Sequence, residues 1–345
     1  MNRFTLHIVV NTQAGSGNAK KVLTTTENYL KEKEITYTTY FTEYAGHEKK
    51  ITSDLLDTLL IDWNHSTKPF PLLVVLGGDG TLHEVINVLQ SYPNIPIAYI
   101  PGGSGNDFAR GISLSRKTKE AIDRILCAKE PQPVNMIRAW FKEQDEVRFI
   151  LNNIGIGLDA NIVSTANHSK TKRFLNKLHL GSLSYLAAIF KVVRKQKAFP
   201  ISFKTDQQSF HFDQGYLCSI TNHPYFGGGV AIDPTASPFN DEISIVLVEK
   251  VNVLEIIYLA VRILSKTHLT SKYIHHFKTT HLDVTSPSDQ FAQTDGEIVG
   301  EESYTISCEL TKRLFYYVIK SYGLTFSIPI IGSILPFVTK SIVNS

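Results

Sequence analysis

Asp79 is the residue whose surroundings most clearly indicate chemistry, because it lies within the run Leu76-Gly77-Gly78-Asp79-Gly80-Thr81. The apolar run Pro71-Leu72-Leu73-Val74-Val75 before it is typical of a strand buried on both faces. Thr81 is followed by apolar residues at helical spacing, with Glu84 three positions on, which predicts a helix that begins at Thr81 with a capping box. Strand, glycine turn and helix N-terminus favour a phosphate site made of backbone amides, with an acid placed for a metal ion. The alternative is an ordinary strand-to-helix turn.

Two further loops repeat this design. One is Pro101-Gly102-Gly103-Ser104-Gly105-Asn106-Asp107-Phe108-Ala109-Arg110, and the other is Asn11-Thr12-Gln13-Ala14-Gly15-Ser16-Gly17. Each follows a predicted strand, and the carboxyl ends of parallel strands meet at one crevice, so we expect the three loops to lie together. The sequence contains neither the P-loop pattern nor the dinucleotide-binding fingerprint.

Length and composition limit the class of protein. The 345 residues are enough for two domains, each with its own core. A hydrophobic content of 43% and a charged content of 19% indicate a globular chain, and a net charge of +3 is too small to indicate a nucleic-acid partner. The isolated Cys127, Cys218 and Cys308 favour a reducing cytoplasm over a disulfide framework or a zinc site. No signal-peptide pattern follows the apolar start, so we expect a cytoplasmic protein.

The hydrophobic pattern changes near residue 135. Before it, strands alternate with helices, which predicts a doubly wound parallel sheet with strands Leu6–Val10, Tyr37–Phe41, Leu72–Leu76 and Ile97–Ile100 and helices Ala19–Lys33, His47–Leu60, Leu82–Gln90 and Lys117–Ala128. After the predicted linker Pro131-Gln132-Pro133 the pattern predicts a β-rich domain, a sandwich, with helices Ser182–Lys197 and Val253–Leu264. Its predicted strands are Met136–Phe141, Arg148–Asn153, Ile201–Thr205, Gln208–Asp213, Tyr216–Thr221, Ile243–Val248, Thr279–Val284 and Ser303–Glu309.

An ordered set of motifs runs through the chain: Asn11 to Gly15, Gly77 to Glu84, Pro101 to Arg110, Asn153-Ile154-Gly155-Ile156-Gly157-Leu158-Asp159-Ala160, Tyr225-Phe226-Gly227-Gly228-Gly229 and Asp295-Gly296-Glu297. The set resembles the bacterial diacylglycerol kinase-like lipid kinases, a group that includes the sphingosine kinases. It covers residues 4 to about 318, although the glycine-aspartate run alone also occurs in NAD kinases and phosphofructokinases.

The resemblance implies a specific architecture. We expect an α/β fold whose N-terminal parallel-sheet domain, of the NAD-kinase and phosphofructokinase type, comprises residues 1–133 and about 312–321. A lipid-substrate domain, the sandwich, would comprise residues 134–311, with the nucleotide in the cleft between them. The last predicted strand, Leu314–Ile319, would return to the first domain, and residues 322–345 would form an apolar tail.

Phosphoryl transfer needs phosphates held by amides and a metal ion, and a carboxylate that takes the proton of the acceptor hydroxyl. The resemblance implies ATP and Mg²⁺ as cofactors. Asp79 and Asp107 are the predicted magnesium-facing acids, with a helix N-cap as the alternative for Asp107. Asp295 is the predicted general base, with Glu297 beside it; without the resemblance, Asp295-Gly296 indicates only a hairpin turn. The predicted nucleotide-binding residues are Asn11, Thr42 (from the resemblance alone), Gly77, Gly78, Asp79, Gly80, Thr81, Glu84, Gly103, Ser104 and Asn106.

The chain departs from the family pattern at three places. His83 stands where the family usually has Asn, and Asn135 stands where an acid is common. The family also binds a second, structural magnesium ion through an Asp-Gly segment, for which this chain offers Asp241 with carbonyl groups near Pro238 and Ile243, but the glycine is missing.

Two segments have the composition of a membrane-binding surface. No acid lies between Asp159 and Asp206, where basic residues such as Lys191, Arg194 and Lys195 alternate with apolar ones. This pattern suits an anionic membrane surface, and the alternative is a core helix with a basic rim. Residues 322–345 are apolar but are divided by Pro329 and Pro336, which favours an interfacial anchor or a docking tail over a spanning helix.

The sequence therefore predicts an ATP- and magnesium-dependent kinase that phosphorylates the hydroxyl of diacylglycerol or a related membrane lipid, peripherally associated with the inner face of the membrane. A homodimer is left open. The alternatives are a soluble small-molecule kinase of the NAD-kinase type and a lipid- or nucleotide-binding homologue without catalysis. Asp79, Asp107, Asp295 and Glu297 argue against the inactive homologue.

Overall fold

A computed structural model describes residues 3–161 and 196–318. The first part of the chain alternates strands and helices as predicted. The elements are β1 (Phe4–Val10), α1 (Asn18–Glu32), β2 (Tyr37–Phe41), α2 (His47–Thr58), β3 (Phe70–Gly77), α3 (Asp79–Val88), β4 (Ile97–Pro101), the short α4 (Asp107–Gly111) and α5 (Thr118–Cys127). Strands β2, β1, β3 and β4 pair side by side and all run parallel.

Antiparallel strands dominate the remainder of the described chain. They are β5 (Gln132–Phe141), β6 (Glu146–Ile150), β7 (Asn153–Gly157), β8 (Phe199–Thr205), β9 (Ser209–Thr221), the two-residue β10 (Tyr225–Phe226) and β11 (Val230–Ala231), β12 (Ile243–Glu249), β13 (Ile274–Thr279), β14 (His281–Thr294) and β15 (Glu297–Phe315). Helix α6 (Val253–Leu264) follows β12, and 3₁₀ turns occupy Ala14–Gly17 and His268–Thr270.

Each part has its own apolar core. The parallel sheet is covered on both faces, with Val75, Val85 and Phe108 in one core and Ile8, Leu30 and Val74 in the other. The β-rich part encloses a separate core that includes Ile154, Phe203 and Ile306. The predicted α/β domain followed by a β sandwich is therefore the observed architecture.

The end of β15 joins the two parts. Phe315 pairs in parallel with Ile97 of β4, and the Tyr316 amide donates to the Ile97 carbonyl oxygen at 2.7 Å. The same end of β15 pairs with the first residues of β5, so Gln132 and Pro133 belong to a strand and not to a free linker.

Several predicted boundaries differ from the structure. Gln208–Asp213 and Tyr216–Thr221 form the single strand β9, while the predicted strand Arg148–Asn153 is divided between β6 and β7. The predicted strand Thr279–Val284 spans the junction of β13 and β14. The predicted helix over residues 182–197 lies almost entirely outside the described residues, as does the tail 322–345.

Candidate active site

The three glycine-rich loops meet at the carboxyl ends of β1, β3 and β4. The Asn11 amide donates to the Leu76 carbonyl at 3.1 Å, and the Asn11 side chain donates to the Thr81 hydroxyl at 3.2 Å. The Gly102 amide donates to the Gly77 carbonyl at 2.7 Å. The expectation that these loops share one crevice is confirmed by these contacts.

Glycine at two of these positions is required by the contacts between the loops themselves. A Cβ atom on Gly103 would lie 2.6 Å from the Gly78 Cα atom, and one on Gly77 would lie 2.7 Å from the Thr81 side chain. The Gly103 amide also donates to the Asn106 side chain at 2.9 Å, so it is already paired within the loop. The first turn of α3 adds backbone amides of the kind that a helix N-terminus offers to an anion.

Helix α3 begins three residues before the predicted Leu82. Its first residue is Asp79 and its N-cap is Gly78, which has extended backbone and no capping side chain. The predicted capping box is wrong because both side chains are engaged elsewhere: the Thr81 hydroxyl accepts from Asn11, and Glu84 pairs with Lys49 at 2.7 Å. Asp79 is therefore the first residue of the helix, at the positive end of its dipole, whereas the prediction placed it in the turn before the helix.

Asp79 connects α3 to α4. One of its carboxylate oxygens accepts from the Asp107 amide at 2.9 Å and the other accepts from the Phe108 amide at 3.3 Å. Burial, with a contribution from the charges of Asp107 and Asp295, raises the pKa of Asp79 to about 6, although the two amides oppose this shift. The carboxyl group of Asp79 thus titrates close to neutral pH.

Asp107 is the first residue of α4, and Asn106, in the left-handed region with φ 51°, is the N-cap. The N-cap alternative for Asp107 is therefore wrong. Its carboxylate accepts from the Gly228 amide at 2.7 Å and pairs with Arg110. Gly227, Gly228 and Gly229 all have positive φ, of 59°, 88° and 113°, which explains why this segment of the β-rich part is made of glycine.

Asp295 lies at the tip of the β14–β15 hairpin. Asp295 and Gly296 both have positive φ, of 52° and 91°, as a two-residue type I′ turn requires. The turn aims the carboxylate at the backbone between β6 and β7, where it accepts from the Leu151, Asn152 and Asn153 amides at 2.8, 2.7 and 3.2 Å.

His83 of α3 makes a fourth hydrogen bond to this carboxylate, with its Nδ1 atom 2.7 Å from Asp295 Oδ2. Burial lowers the pKa of His83, but the hydrogen bond and charge of Asp295 outweigh it and leave the pKa raised. The Asp295 side chain has 0% of its surface exposed. Its role as general base stays a prediction, and the geometry shows a carboxylate whose two oxygens already accept from four donors.

The other predicted nucleotide contacts lie around the same crevice. Thr42 follows β2, and its amide donates to the Val10 carbonyl at 2.9 Å, which places it beside the first loop. Ser104 is exposed, whereas Asn106 is buried and exchanges two hydrogen bonds with the Gly103 backbone. Glu297 lies beside the first turn of α3, because a Cβ atom on Gly80 would be 3.6 Å from the Glu297 carboxylate oxygen.

Two cavities adjoin these residues. A polar cavity of about 440 Å³ has walls that include Lys49, His83, Glu84, Arg148 and Glu297. A second cavity of about 510 Å³, here called the apolar cavity, combines acids with apolar walls. Its wall includes the acids Asp79, Asp107, Asp159 and Asp295 and the apolar residues Leu217, Phe226, Val230, Ala260, Ile263 and Leu264.

Asp159 is a cavity residue that the sequence analysis left without a role. It is buried and accepts from the side chains of Asn153 at 2.9 Å and Gln293 at 3.0 Å. Burial raises the pKa of Asp159 to about 6, and these two hydrogen bonds oppose the shift. The sequence signal that could have identified Asp159 is its position as an acid at the end of the apolar run that includes β7.

The predicted structural magnesium set of Asp241, Pro238 and Ile243 is arranged around a hydrogen-bond donor instead. The Asn135 side-chain amide donates to the Asn240 carbonyl at 2.9 Å and to Asp241 at 3.1 Å, and the Asn135 backbone amide donates to the Pro238 carbonyl at 2.9 Å. Lys312 lies 3.6 Å from Asp241. Donors of the chain thus already face the Pro238 carbonyl and one carboxylate oxygen of Asp241, and the structural magnesium site stays a prediction.

Within residues 3–161 and 196–318 no three His, Cys, Asp or Glu side chains gather as a metal cluster. A catalytic magnesium ion still fits Asp79 and Asp107, because Mg²⁺ usually keeps several waters and takes only one or two protein carboxylates. The oxygens of both acids lie within 4 Å of one point beside Gly105.

Comparison with family models places the chain in a kinase-type enzyme family with two domains. The family model "Diacylglycerol kinase catalytic domain" matches residues 5–139, and "YegS C-terminal NAD kinase beta sandwich-like domain" matches residues 152–311. The two matches span most of the sequence in tandem, and the chain belongs to the diacylglycerol kinase-like family that they describe.

Several known proteins are similar to this chain. A Bacillus subtilis protein named "Putative lipid kinase YtlR" is 26% identical over 304 residues, which cover 87% of this chain and 95% of that protein. A Staphylococcus saprophyticus protein named "Diacylglycerol kinase" is 28% identical, over 67% of this chain and 72% of that protein. A crystal structure of a Bacillus anthracis protein described as a "putative diacylglycerol kinase" shares the fold, with a TM-score of 0.69 and 22% identity over 92% of this chain and 96% of that one.

Gly103→Ala should lower the stability of the protein, whereas Gly80→Ala should lower its affinity for ATP. The new Cβ atom of Gly103→Ala would meet the Gly78 backbone, and we expect a loss of about 1–3 kcal/mol of unfolding free energy. Gly80 lies in α3 with room for a methyl group, so Gly80→Ala should keep its stability but weaken binding of ATP. Urea titration and calorimetric ATP titration measure the two effects. Equal stability of both variants would contradict the loop contact.

Asp295→Asn should destabilise the protein as well as remove most of its turnover. An amide oxygen accepts fewer hydrogen bonds than a carboxylate, and each buried donor left unpaired costs about 1–3 kcal/mol. Asp289→Asn, at an exposed position of the same strand, is the matched control. Thermal unfolding measures the difference, and equal midpoints for the two variants would show that the four observed contacts contribute nothing.

Proposed function

We propose that this protein is an ATP-dependent lipid kinase that transfers a phosphoryl group to the hydroxyl of diacylglycerol or a related membrane lipid. The observation that carries the proposal is the apolar cavity, which brings carboxylates and aliphatic side chains to one space of about 510 Å³. A lipid alcohol has the matching chemistry, since it joins a hydroxyl group to an apolar body. A wholly polar acceptor would gain nothing from Leu217, Phe226 and Ile263.

In this proposal the nucleotide binds on the side of Asp79 that faces away from the apolar cavity. The first turn of α3 offers backbone amides to phosphate, and Asn11, Thr42 and Glu84 surround that turn. Asp79 and Asp107 would hold Mg²⁺, which when bound would neutralise charge on the phosphates during transfer. His83 and the three amides fix Asp295, so this residue orders the backbone of residues 151–153 beside the cavity.

The proposal is supported by the family membership and by the names of relatives such as the Staphylococcus saprophyticus diacylglycerol kinase. Neither alternative is favoured by them. The walls of the apolar cavity do not suit a dinucleotide acceptor, and an inactive homologue gives no reason for acids with raised pKa values at its cavity.

ATP consumption in mixed micelles tests the function directly. We expect turnover with diacylglycerol or another lipid alcohol and none with NAD or sugars as acceptors. Ile263→Asp should lower turnover with long-chain lipids because it places a charge in the apolar cavity, and Ile61→Asp, at an exposed apolar position, is the control. Turnover with NAD alone, or equal rates for both variants, would contradict a lipid acceptor.

The pH dependence tests the role of Asp79. Asp79 must be ionised to hold Mg²⁺ as proposed, so kcat/KM should fall below pH about 6, where its raised pKa lies. The fall should approach tenfold for each pH unit. Glu297→Gln should keep this acidic limb in its residual activity, and circular dichroism over the same range reports folding. A limb centred near the ordinary aspartate value of 3.8 would contradict the assignment.

A further inference from the structure

Helix α6 exposes more large apolar side chains than any other helix that the structure describes. Leu254, Ile257, Tyr258, Val261 and Leu264 are 78%, 54%, 47%, 61% and 84% exposed. We call this set the α6 apolar stripe. It holds five of the 13 exposed large hydrophobic residues in the described chain, within a helix of 12 residues.

The α6 apolar stripe is one continuous face of the helix. At 3.6 residues per turn its five members fall within an arc of about 120°. The opposite face carries Leu259, which packs in a core cluster with Ile232, Val246 and Ile274. A helix that only packs on a domain has a polar outer face, so an apolar outer face indicates a further apolar partner.

The surroundings of the α6 apolar stripe are basic. Between Glu249 and Asp283 the sequence holds five Lys or Arg residues and one acid, Glu255. Glu255 is engaged in the capping box with Asn252 at the start of the helix. Lys250, Lys266 and Lys272 are exposed. An apolar face bordered by exposed cations is complementary to an anionic phospholipid surface.

The α6 apolar stripe is also continuous with the site. Ala260, Ile263 and Leu264 line the apolar cavity together with Asp79, Asp107 and Asp295, and Leu264 belongs to both the cavity wall and the stripe. A partner that covers the stripe would therefore lie at the mouth of the cavity that we propose for the lipid acceptor.

We propose that the α6 apolar stripe inserts into the interface of an anionic phospholipid bilayer and brings the apolar cavity to the membrane surface. At 1.5 Å per residue its 12 residues span only about 18 Å, less than the roughly 30 Å of a hydrocarbon core. The helix therefore lies in the plane of the interface, and none of the described helices is long and apolar enough to cross a membrane. This inference rests on the proposed lipid-kinase function and adds the docking surface.

Vesicle binding of the full-length protein tests the inference. The triple variant Leu254→Ser, Ile257→Ser, Val261→Ser removes three of the five apolar side chains of the stripe but leaves the cavity-lining residues in place. Its matched control is Ile61→Ser with Tyr92→Ser, which are exposed apolar positions of the first domain. On vesicles of phosphatidylcholine with 30% phosphatidylglycerol, used as the probe, we expect the triple variant to bind at least about tenfold more weakly and the control to bind as wild type.

Activity separates docking from chemistry. Turnover of long-chain diacylglycerol in these vesicles should fall with the loss of binding, whereas turnover of a monomeric short-chain diacylglycerol should stay within about twofold of wild type. If the wild-type protein phosphorylates no lipid but still binds vesicles through the stripe, the proposed function fails and the docking surface stands.

Two results would overturn the inference. One is unchanged vesicle binding by the triple variant. The other is a wild-type dimer that the triple variant converts to a monomer in lipid-free buffer by sedimentation, which would assign the stripe to a second copy of the chain.

Discussion

The buried carboxylate of Asp295 is the constraint on which the geometry of the site depends. Its hydrogen bonds reach the backbone of residues 151–153 in the β-rich part and His83 on α3 in the first domain. At the other end of the same hairpin, Arg313 donates to the Leu89 and Tyr92 carbonyls at the end of α3. Helix α3 is thus held at its middle and just after its last residue by one hairpin, and this positions its first residue, Asp79, against the apolar cavity.

The site gathers more negative charge than its cations balance. Arg110 pairs with Asp107 and His83 pairs with Asp295, but among the residues that the structure describes Asp79 accepts hydrogen bonds from backbone amides alone. The pKa of Asp79, raised to about 6, records this uncompensated burial. A bound cation would relieve it, because a nearby positive charge favours the ionised carboxylate. The same arrangement that costs stability in the free protein therefore creates affinity for the metal–nucleotide complex that we propose.

The parallel-sheet domain could be predicted from the sequence because its strands are apolar runs and its helices are amphipathic. The hydrophobic period and the turn residues are enough to identify such elements. Local pattern was insufficient at β9, which was predicted as two strands with Gly215 between them. A Cβ atom there would lie 3.0 Å from the Phe199 carbonyl oxygen, so the glycine serves a close strand contact instead. The start of α3 was misjudged because Asn11, a residue 70 positions away, engages the Thr81 hydroxyl. The site acids were found from their motifs, but their partners were not, since His83 and Asp295 are 212 residues apart.

Two of the three departures from the family pattern have different physical consequences. The His83 imidazole donates a hydrogen bond to the buried Asp295 carboxylate and so completes its set of contacts. The hydrogen bond and charge of this carboxylate also raise the pKa of His83. At Asn135, an amide replaces an acid, and it donates to Asn240 and Asp241 while Lys312 lies near the same aspartate. The Asn240 and Asp241 oxygens thereby accept hydrogen bonds from N–H donors of the chain itself. His83 thus completes the hydrogen-bond network of Asp295, and Asn135 supplies donors to the loop at Asp241.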